Sequence, residues 1–136
     1  MNVLLSINPT HVDNIFSGVK LFEFRRKIFA RPDIRTVVVY CTKPVAKLVG
    51  EFDIEEILSG SPDALWGLTH NASGISREFF DLYFEGRDRA YALKIGAIRQ
   101  YAEPLDPQQV FAKFTPPQSY MYVPKGPMPV QLELCM

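Results

Sequence analysis

The residues best suited to chemistry in this sequence are three charged side chains within six positions, Lys20, Glu23 and Arg25. They belong to residues 18–25, which read GVKLFEFR and fit the pattern GxKxxExR. A carboxylate held beside an arginine stays ionised and can accept hydrogen bonds from an exocyclic amine, while the lysine and the arginine can hold an anion or a carbonyl oxygen. The pattern therefore indicates a site for a ligand that carries these groups.

A second interpretation of the same residues stays open at this point. Glu23 and Arg25 can form an exposed ion pair, which contributes at most about 1 kcal/mol to stability, while Lys20 lies in water. Spacing alone favours this second interpretation only slightly, because both need only that Glu23 and Arg25 share one face of a strand.

The flanking residues predict that this motif lies where a helix ends and a strand begins. Asn8 followed by proline is typical of a helix start, and Gly18 suits the left-handed residue that ends a helix. In residues 21–28 aromatic and charged side chains alternate, which predicts a strand with an aromatic face and a charged face. Glu23 and Arg25 then project from the charged face.

The rest of the chain alternates between strand and helix patterns. Strands are predicted at residues 2–7, 36–42, 48–57 with a bulge at Gly50, 90–98 and 120–123, and helices are predicted to begin at Ser61, Ser76 and Pro107. A stripe at helical spacing after Ser76 is predicted to belong to the core, and it consists of Phe79, Phe80, Leu82 and Tyr83. These elements favour an α+β fold, a small mixed and mostly antiparallel β-barrel with flanking helices.

Charge is balanced over the whole chain but not along it. The 15 basic and 15 acidic residues give a net charge of zero, which argues against duplex DNA as a partner, because sequence-independent DNA binding needs a basic excess. Residues 1–50 carry a net charge of +5, residues 51–88 of −7 and residues 89–136 of +2. A basic stretch at residues 20–35 surrounds the motif, so local positive potential is expected there.

Metal and membrane partners are not expected. Cys41 and Cys135 lie far apart and are accompanied only by His11 and His70, so no zinc-binding spacing occurs, and no metal or other cofactor is predicted. No apolar run is long enough for a secretion signal or a membrane span. Phosphate-binding loops, dinucleotide fingerprints and the common hydrolase motifs are missing from the sequence. We therefore expect a cytoplasmic protein with reduced thiols.

Longer stretches of the sequence resemble the ASCH family of the PUA-like superfamily. The resemblance is carried by LSINPTHVDNIFSGVKLFEFRRKIF, VVVYCTKPVAKLVGEF, AYALKIG and PPQSYMY, and it runs from about residue 4 to residue 122. It includes GxKxxExR, which is the family's signature. The resemblance implies a small, partly open β-barrel formed by a single domain at residues 1–123, followed by a Pro-rich tail at residues 124–136. The superfamily includes RNA-binding members and members that recognise modified nucleobases.

The resemblance also implies a set of ligand-binding residues. Lys20, Glu23 and Arg25 would line a cleft between the first helix and the barrel. The neighbours expected around them are Ser6, Thr42, Gln118, Ser119 and Tyr120. Unstacked RNA bases that enter such a cleft could stack on rings such as Tyr40 or Tyr120.

One bacterial branch of this family hydrolyses the acetyl amide of N4-acetylcytidine with a Lys, Thr and Glu set, and that mechanism does not transfer to this sequence. When the lysine of the set is aligned with Lys20, Glu23 takes the place of the threonine nucleophile. The partner glutamate would fall near residues 71–73, where the sequence offers His70 and Asn71 but no carboxylate.

Three hypotheses about function follow, in this order. The first is recognition of single-stranded or looped RNA, or of a nucleoside or nucleotide, by Lys20, Glu23 and Arg25. The second is an enzyme, a modified-nucleoside hydrolase or a ribonuclease, in which Glu23 is the general base and Lys20 stabilises negative charge. The third is an interaction module whose Pro-rich tail docks a partner or joins two copies in a homodimer.

Overall fold

The computed structural model describes residues 1–125 of the protein, which form six strands and four α-helices. The strands are β1 (Asn2–Ile7), β2 (Phe22–Arg25), β3 (Thr36–Cys41), β4 (Lys47–Gly60), β5 (Ala90–Leu105) and β6 (Tyr120–Val123). The helices are α1 (Pro9–Phe16), α2 (Pro62–Thr69), α3 (Arg77–Tyr83) and α4 (Pro107–Val110). We call the segment from α2 to α3 the helical insert, because it joins the two longest strands.

The first three helices begin where their capping residues predict. The side chains of Asn8, Ser61 and Ser76 each accept a hydrogen bond from the backbone N–H three residues further on, at 3.0–3.2 Å. Such a bond satisfies one of the amides that the first helical turn leaves without a partner. Gly18 and Gly86, with φ of +84° and +75°, follow the ends of α1 and α3 in the left-handed conformation that glycine adopts readily. The turn before Lys20 is therefore set by local sequence.

The strands form one mixed sheet in the order β2-β5-β4-β3-β1-β6. β1 and β3 are parallel, and every other pair of neighbours is antiparallel. The predicted α+β class and the mostly antiparallel sheet are confirmed. The predicted closure into a barrel is not confirmed, because β2 and β6 form opposite edges and do not pair with each other within residues 1–125.

The strand ends differ from the predicted ones because pairing partners set them. β2 stops at Arg25, which pairs with Tyr91 one residue after the start of β5, so β5 does not extend far enough to pair with residues 27–28. β5 continues to Leu105, beyond the predicted end, because Leu105 pairs with Leu48 at the start of β4. The bulge predicted at Gly50 is confirmed by register shifts on both sides of β4. A Cβ at Gly50 would lie 2.6 Å from both Phe16 Cζ and the Arg99 carbonyl oxygen, so helix and sheet approach closely there.

Both faces of the sheet are covered by apolar side chains. α1 packs Val12 and Ile15 on one face, against a cluster that includes Val37 and Phe52. A second cluster contains Tyr40 and Leu4. A third cluster, around Phe80, is formed where the helical insert packs on β2. This insert supplies the wall that faces the GxKxxExR motif.

The aromatic stripe of α3 is only partly core, which corrects the prediction. Phe80 is fully buried, but Phe79 is 44% exposed and Leu82 is 71% exposed. A helix of only two turns presents a narrow stripe to its neighbour, so the residues beside Phe80 are turned away from β2. No helix within residues 1–125 is both long enough and apolar enough to cross a membrane.

Candidate functional site

The GxKxxExR motif lines a cleft of about 140 Å³. The cleft lies between the end of β1, the first turn of α1, β2 and the helical insert. Its lining residues include Ser6, Asn8, His11, Lys20, Glu23, Phe24, Arg25, Phe79 and Tyr83. A dry cavity of about 150 Å³ holds a benzene ring. The cleft therefore has room for one six-membered ring, with access from solvent.

Lys20 reaches the cleft from a clamped turn. Its backbone N–H donates to the Asn14 carbonyl at 2.9 Å, and the next amide, that of Leu21, donates to the Ala72 carbonyl at 2.9 Å. The Nζ atom donates to the Ser73 carbonyl at 2.8 Å, and the residue is only 1% exposed. The interpretation with Lys20 in water is therefore wrong.

Gly74 holds the stem of Lys20 in place. Its φ is +70°, and a Cβ built there would lie 2.7 Å from Lys20 Cβ and 2.9 Å from Lys20 Cγ. Real Cβ atoms do not approach that closely, so only glycine lets the backbone of the insert lie directly on the lysine. Ser73 and Gly74 together position Lys20 through backbone atoms alone.

Glu23 and Arg25 form a buried ion pair beside it. Arg25 Nη1 lies 3.2 Å from Glu23 Oε2, and the two residues are 9% and 5% exposed. The alternation in β2 places them on one face, as predicted, while Phe22 and Phe24 pack in the cluster under the insert. The interpretation as a surface ion pair is wrong, because the charged face of β2 is covered as well as the aromatic face.

The charged face of β2 is covered by residues next to β1 and β6, at the opposite side of the sheet. Arg25 Nη1 donates to the Ser6 carbonyl at 3.4 Å, and Arg25 Nη2 donates to the Ser119 carbonyl at 2.6 Å. Pairing of β1 with β6 runs from Asn2 to Leu5 opposite Val123 to Tyr120, so Ser6 and Ser119 are the first residues beyond it. The Arg25 guanidinium thus spans the gap between the two edge regions of the open sheet.

Burial and neighbouring charges shift the pKa values of two basic groups in the cleft. Burial lowers the pKa of Lys20, and the nearby carboxylate of Glu23 acts in the opposite direction. The pKa of His11 is also lowered, first by burial and then by the positive charge of Lys20, with Glu23 again opposing. The Lys20 Nζ atom lies 4.8 Å from the centre of the Phe24 ring. The charge of Glu23 therefore acts on Lys20, and the charges of Glu23 and Lys20 both act on His11, around one small space.

His11 is a cleft residue that the sequence reasoning missed. Its Nδ1 atom is buried and has no hydrogen-bond partner among residues 1–125. The imidazole packs edge-on against Phe79, with ring centroids 5.4 Å apart. The helix start at Asn8 was the available signal, because it fixes His11 in the first turn of α1, on the side of the cleft. Tyr83, also missed, donates its hydroxyl to the Phe24 carbonyl at 3.1 Å, and burial raises its pKa.

The other residues named from the sequence are divided between several places. Ser6 lines the cleft, and Gln118 and Ser119 line an adjoining groove. Tyr40 is 4% exposed and packs its ring on Phe114, 5.1 Å away between centroids. Thr42 donates its amide to the Ile7 carbonyl after β3, and Tyr120 packs on Phe29. Tyr40, Thr42 and Tyr120 line neither the cleft nor the groove.

Metal-ligand and thiol chemistry have little support in this part of the chain. No group of three or more His, Cys, Asp or Glu side chains within residues 1–125 is arranged to hold a metal ion. Cys41 is buried at the end of β3, and burial raises the pKa of its thiol, which disfavours the nucleophilic thiolate. Cys135 and most of the Pro-rich tail predicted from residue 124 lie outside the described residues.

Comparison with known proteins gives the chain its family. A protein named ASCH domain-containing ribonuclease, from Zymomonas mobilis, is 30% identical over 128 residues, which cover 90% of this chain and 84% of that protein. The crystal structure of ASCH from Zymomonas mobilis matches at 29% identity with a TM-score of 0.83, over 91% of this chain and 88% of the other.

Other comparisons are more limited. The large ribosomal subunit protein uL22 of Ureaplasma parvum serovar 3 is 31% identical over 104 residues, and the chain spans only 33% of the length of that protein. No protein-family model matches the sequence. The relationship to the Zymomonas protein extends over most of both chains, in sequence and in structure, and the chain belongs to the ASCH domain family.

Proposed function

We propose that this ASCH domain recognises RNA by seating one base of a single-stranded or looped segment, or of a nucleoside, in the cleft. The observation that carries the proposal is the buried set of Lys20, Glu23 and Arg25 around a space the size of one ring. The relative named a ribonuclease supports RNA as the class of ligand. Single-stranded or looped RNA fits best, because its unstacked bases can enter a cleft.

Each of the three charged groups has a distinct part in this proposal. Glu23 uses Oε2 for Arg25, and within residues 1–125 no hydrogen bond reaches Oε1, which can accept from an exocyclic amine. Lys20 uses one of its three donors on the Ser73 carbonyl, so two remain for a base carbonyl or a phosphate oxygen. Arg25 spends most of its donors on Glu23 and two backbone carbonyls, so it chiefly orients Glu23.

The proposal is tested by fluorescence anisotropy with labelled, short, random-sequence single-stranded RNA at low salt. Lys20→Met should weaken binding by about tenfold or more, because a lost hydrogen bond to a charged group costs about 1.5–3 kcal/mol. Lys113→Met, at an exposed lysine that lines neither the cleft nor the groove, is the matched control and should bind like the unaltered protein. Absence of binding to any such RNA, or full affinity in Lys20→Met, would overturn the proposal.

A second candidate function is hydrolysis, by a ribonuclease or by a hydrolase of an N4-acylated cytidine. The lowered pKa of Lys20 favours it, because perturbed pKa values in a cleft are typical of active sites. In this mechanism Glu23 takes a proton from the attacking water, and the water oxygen bonds to the phosphorus or the carbonyl carbon. Lys20 stabilises the negative charge that develops, and the leaving oxygen or nitrogen takes the proton back from Glu23 as its bond breaks.

Turnover separates this candidate from binding alone. RNA oligonucleotides and N4-acetylcytidine are incubated with the protein and the products are separated by chromatography. Glu23→Gln keeps the shape of the side chain but loses the base, so we expect a loss of activity of about 100-fold or more. Full activity in Glu23→Gln would exclude Glu23 as the base.

We also propose three properties of the whole protein. The RNA-recognising unit comprises residues 1–123 and acts as a partly open barrel, whose gap is spanned by Arg25. Its place of action is the cytoplasm. The Pro-rich tail joins two copies in a homodimer, so deletion of residues 124–136 should change the sedimentation behaviour and leave binding of a nucleoside unchanged. An unchanged sedimentation coefficient would remove the tail from this role.

A further inference from the structure

We propose that the groove beside the cleft binds the phosphates that flank the seated nucleotide, so that the preferred ligand is an RNA strand rather than a free nucleoside. This inference rests on the proposed function and names its substrate class more narrowly. The groove has a volume of about 280 Å³ and is called the basic groove below.

The basic groove is lined by four cationic side chains. They are Arg25, Arg26, Lys27 and Arg87, and Gln118 and Ser119 complete the polar wall. No carboxylate is among the lining residues, although Glu85 and Asp88 flank Arg87 in the sequence. A concave surface lined by one sign of charge concentrates the field there and attracts the opposite charge.

Two of these cations are held in place by the protein. Arg26 Nε donates to the Tyr83 carbonyl at 2.7 Å, and its guanidinium lies 4.3 Å from the centre of the Tyr83 ring. Arg25 is held by the Ser119 carbonyl and by Glu23, whose carboxylate compensates its charge, so Arg26 is the fixed arginine with charge left for a phosphate. Planar guanidinium groups that are fixed in advance suit recognition of phosphate oxygens, because little side-chain entropy is lost on binding.

The positive charges of the other two cations are not balanced by an ion pair with a carboxylate in the described part of the chain. Lys27 and Arg87 are exposed, and within residues 1–125 neither side chain makes a hydrogen bond or an ion pair. Two arginines elsewhere on the surface differ in this respect, since Arg31 pairs with Asp33 and Arg77 with Asp63 and Asp81. Free positive charge is therefore available in the basic groove, whereas these other arginines are neutralised.

The cleft and the basic groove adjoin each other, because Arg25 and Tyr83 line both. The cleft has room for one ring, so the ribose and phosphates of a seated nucleotide must lie outside it. The basic groove offers the phosphates a cationic surface that shares a wall with the cleft. A strand with one base in the cleft can thus place its backbone along Arg26, Lys27 and Arg87.

The test compares two ligands and two double variants of equal charge change. The ligands are a short single-stranded RNA, measured by anisotropy over a range of salt concentrations, and free cytidine or uridine, measured by NMR titration. The groove variant is Lys27→Gln with Arg87→Gln. The control is Lys113→Gln with Arg35→Gln, which removes one lysine and one arginine that do not line the basic groove.

We expect the groove variant to lose about tenfold or more in RNA affinity at low salt and to keep its nucleoside affinity. The slope of log affinity against log salt concentration should become shallower by about 1.4, because two phosphate contacts to a single strand are lost. Unchanged RNA affinity, an equal loss for the nucleoside, or an equal loss in the control would each overturn the inference.

The same measurements on Lys20→Met distinguish this inference from the proposed function. If the groove variant behaves as expected and Lys20→Met binds RNA normally, the basic groove stands and the cleft proposal fails. If Lys20→Met weakens both ligands and the groove variant weakens neither, the cleft stands and the basic groove is excluded. A protein that binds no RNA at all excludes both.

Discussion

The sheet carries two carboxylate–arginine clusters, each with a buried glutamate, and they differ in how completely their polar atoms are used. In the cluster on β4 and β5, Glu51 accepts from Arg99 at 3.2 Å through Oε1 and from the Tyr101 hydroxyl at 3.0 Å through Oε2. Asp53 accepts two bonds from Arg99, at 2.7 and 3.1 Å, and one from the Thr36 hydroxyl. Each of the four carboxylate oxygens in this cluster therefore has a protein donor.

The cleft cluster uses the same residue types with spare capacity. Glu23 has one oxygen without a donor among residues 1–125, Lys20 has two donors to spare, and His11 Nδ1 has no partner there. The cleft, which is the size of one ring, is lined by all three of these side chains. Unused hydrogen-bonding capacity beside a cavity, rather than burial of charge alone, is therefore what supports the proposed binding site.

The difference between the two clusters is tested most directly by substituting methionine for one cation in each. Arg99→Met leaves Glu51 and Asp53 without their cation, so we expect a loss of about 3 kcal/mol in the free energy of unfolding. Lys20→Met removes a charge that burial already disfavours but leaves the Ser73 carbonyl without its donor, so we expect a smaller loss of about 1 kcal/mol. Urea unfolding measures both.

Ligand affinity should show the reverse order. RNA binding should fall in Lys20→Met and stay unchanged in Arg99→Met, measured at a temperature where both variants are folded. If Arg99→Met costs no stability, or if it costs RNA affinity, the contrast between a structural and a ligand-binding cluster is lost.

A smaller loss of stability is expected from Gly74→Ala, which changes only a residue that packs against the Lys20 side chain. The new Cβ would meet the Lys20 stem at 2.7 Å, and the backbone has a φ of +70°. Strain and overpacking together should cost about 2 kcal/mol in thermal unfolding. The displaced lysine should also weaken cytidine binding in an NMR titration.

Gly86→Ala is the matched control for this variant. Its φ is +75°, but a Cβ there meets no atom within 4 Å, so only the backbone strain is introduced. We expect a loss of about 1 kcal/mol and unchanged cytidine affinity. Equal affinities in the two alanine variants would show that Gly74 does not position Lys20.

The smallest expected effect is the dependence of the free energy of unfolding on pH that arises from His11. Its pKa is below the ordinary value of about 6.5 because of burial and the charge of Lys20. As the pH falls below that ordinary value, the unfolded chain takes up a proton at His11 before the folded protein does. The free energy of unfolding should therefore fall with acidification until the pH passes the folded-state pKa.

This contribution can be isolated by substitution. His11→Asn should make the curve of stability against pH flatter on the acid side of neutrality, and His70→Asn controls for the loss of an imidazole as such. NMR titration of the His11 ring should show a rise in its pKa when an RNA strand binds, because phosphate brings negative charge. An identical stability curve in His11→Asn would show that the group does not titrate with folding.

Local sequence was enough to predict that the motif lies between a helix and a strand, but not that distant segments bury its side chains. Capping residues and the alternation in β2 correctly predicted the turn before Lys20 and the shared face of Glu23 and Arg25. Those signals act over a few residues. Burial of the same face depends on Ser119, which is 94 positions from Arg25, and on Ser73, which is 53 positions from Lys20. Periodicity carries no information about such distant partners, so spacing alone favours the exposed ion pair slightly over a binding site.

The bonds from Arg25 to Ser6 and Ser119 have a consequence for how this protein can change over time. Arg25 binds the backbone carbonyls of those residues, and every amino acid type offers one. Substitutions at positions 6 and 119 can therefore accumulate without loosening this link. A one-residue insertion or deletion next to β6 would instead move a different carbonyl into place and shift the strand against β1. The link constrains the length of this segment and tolerates wide variation in its composition.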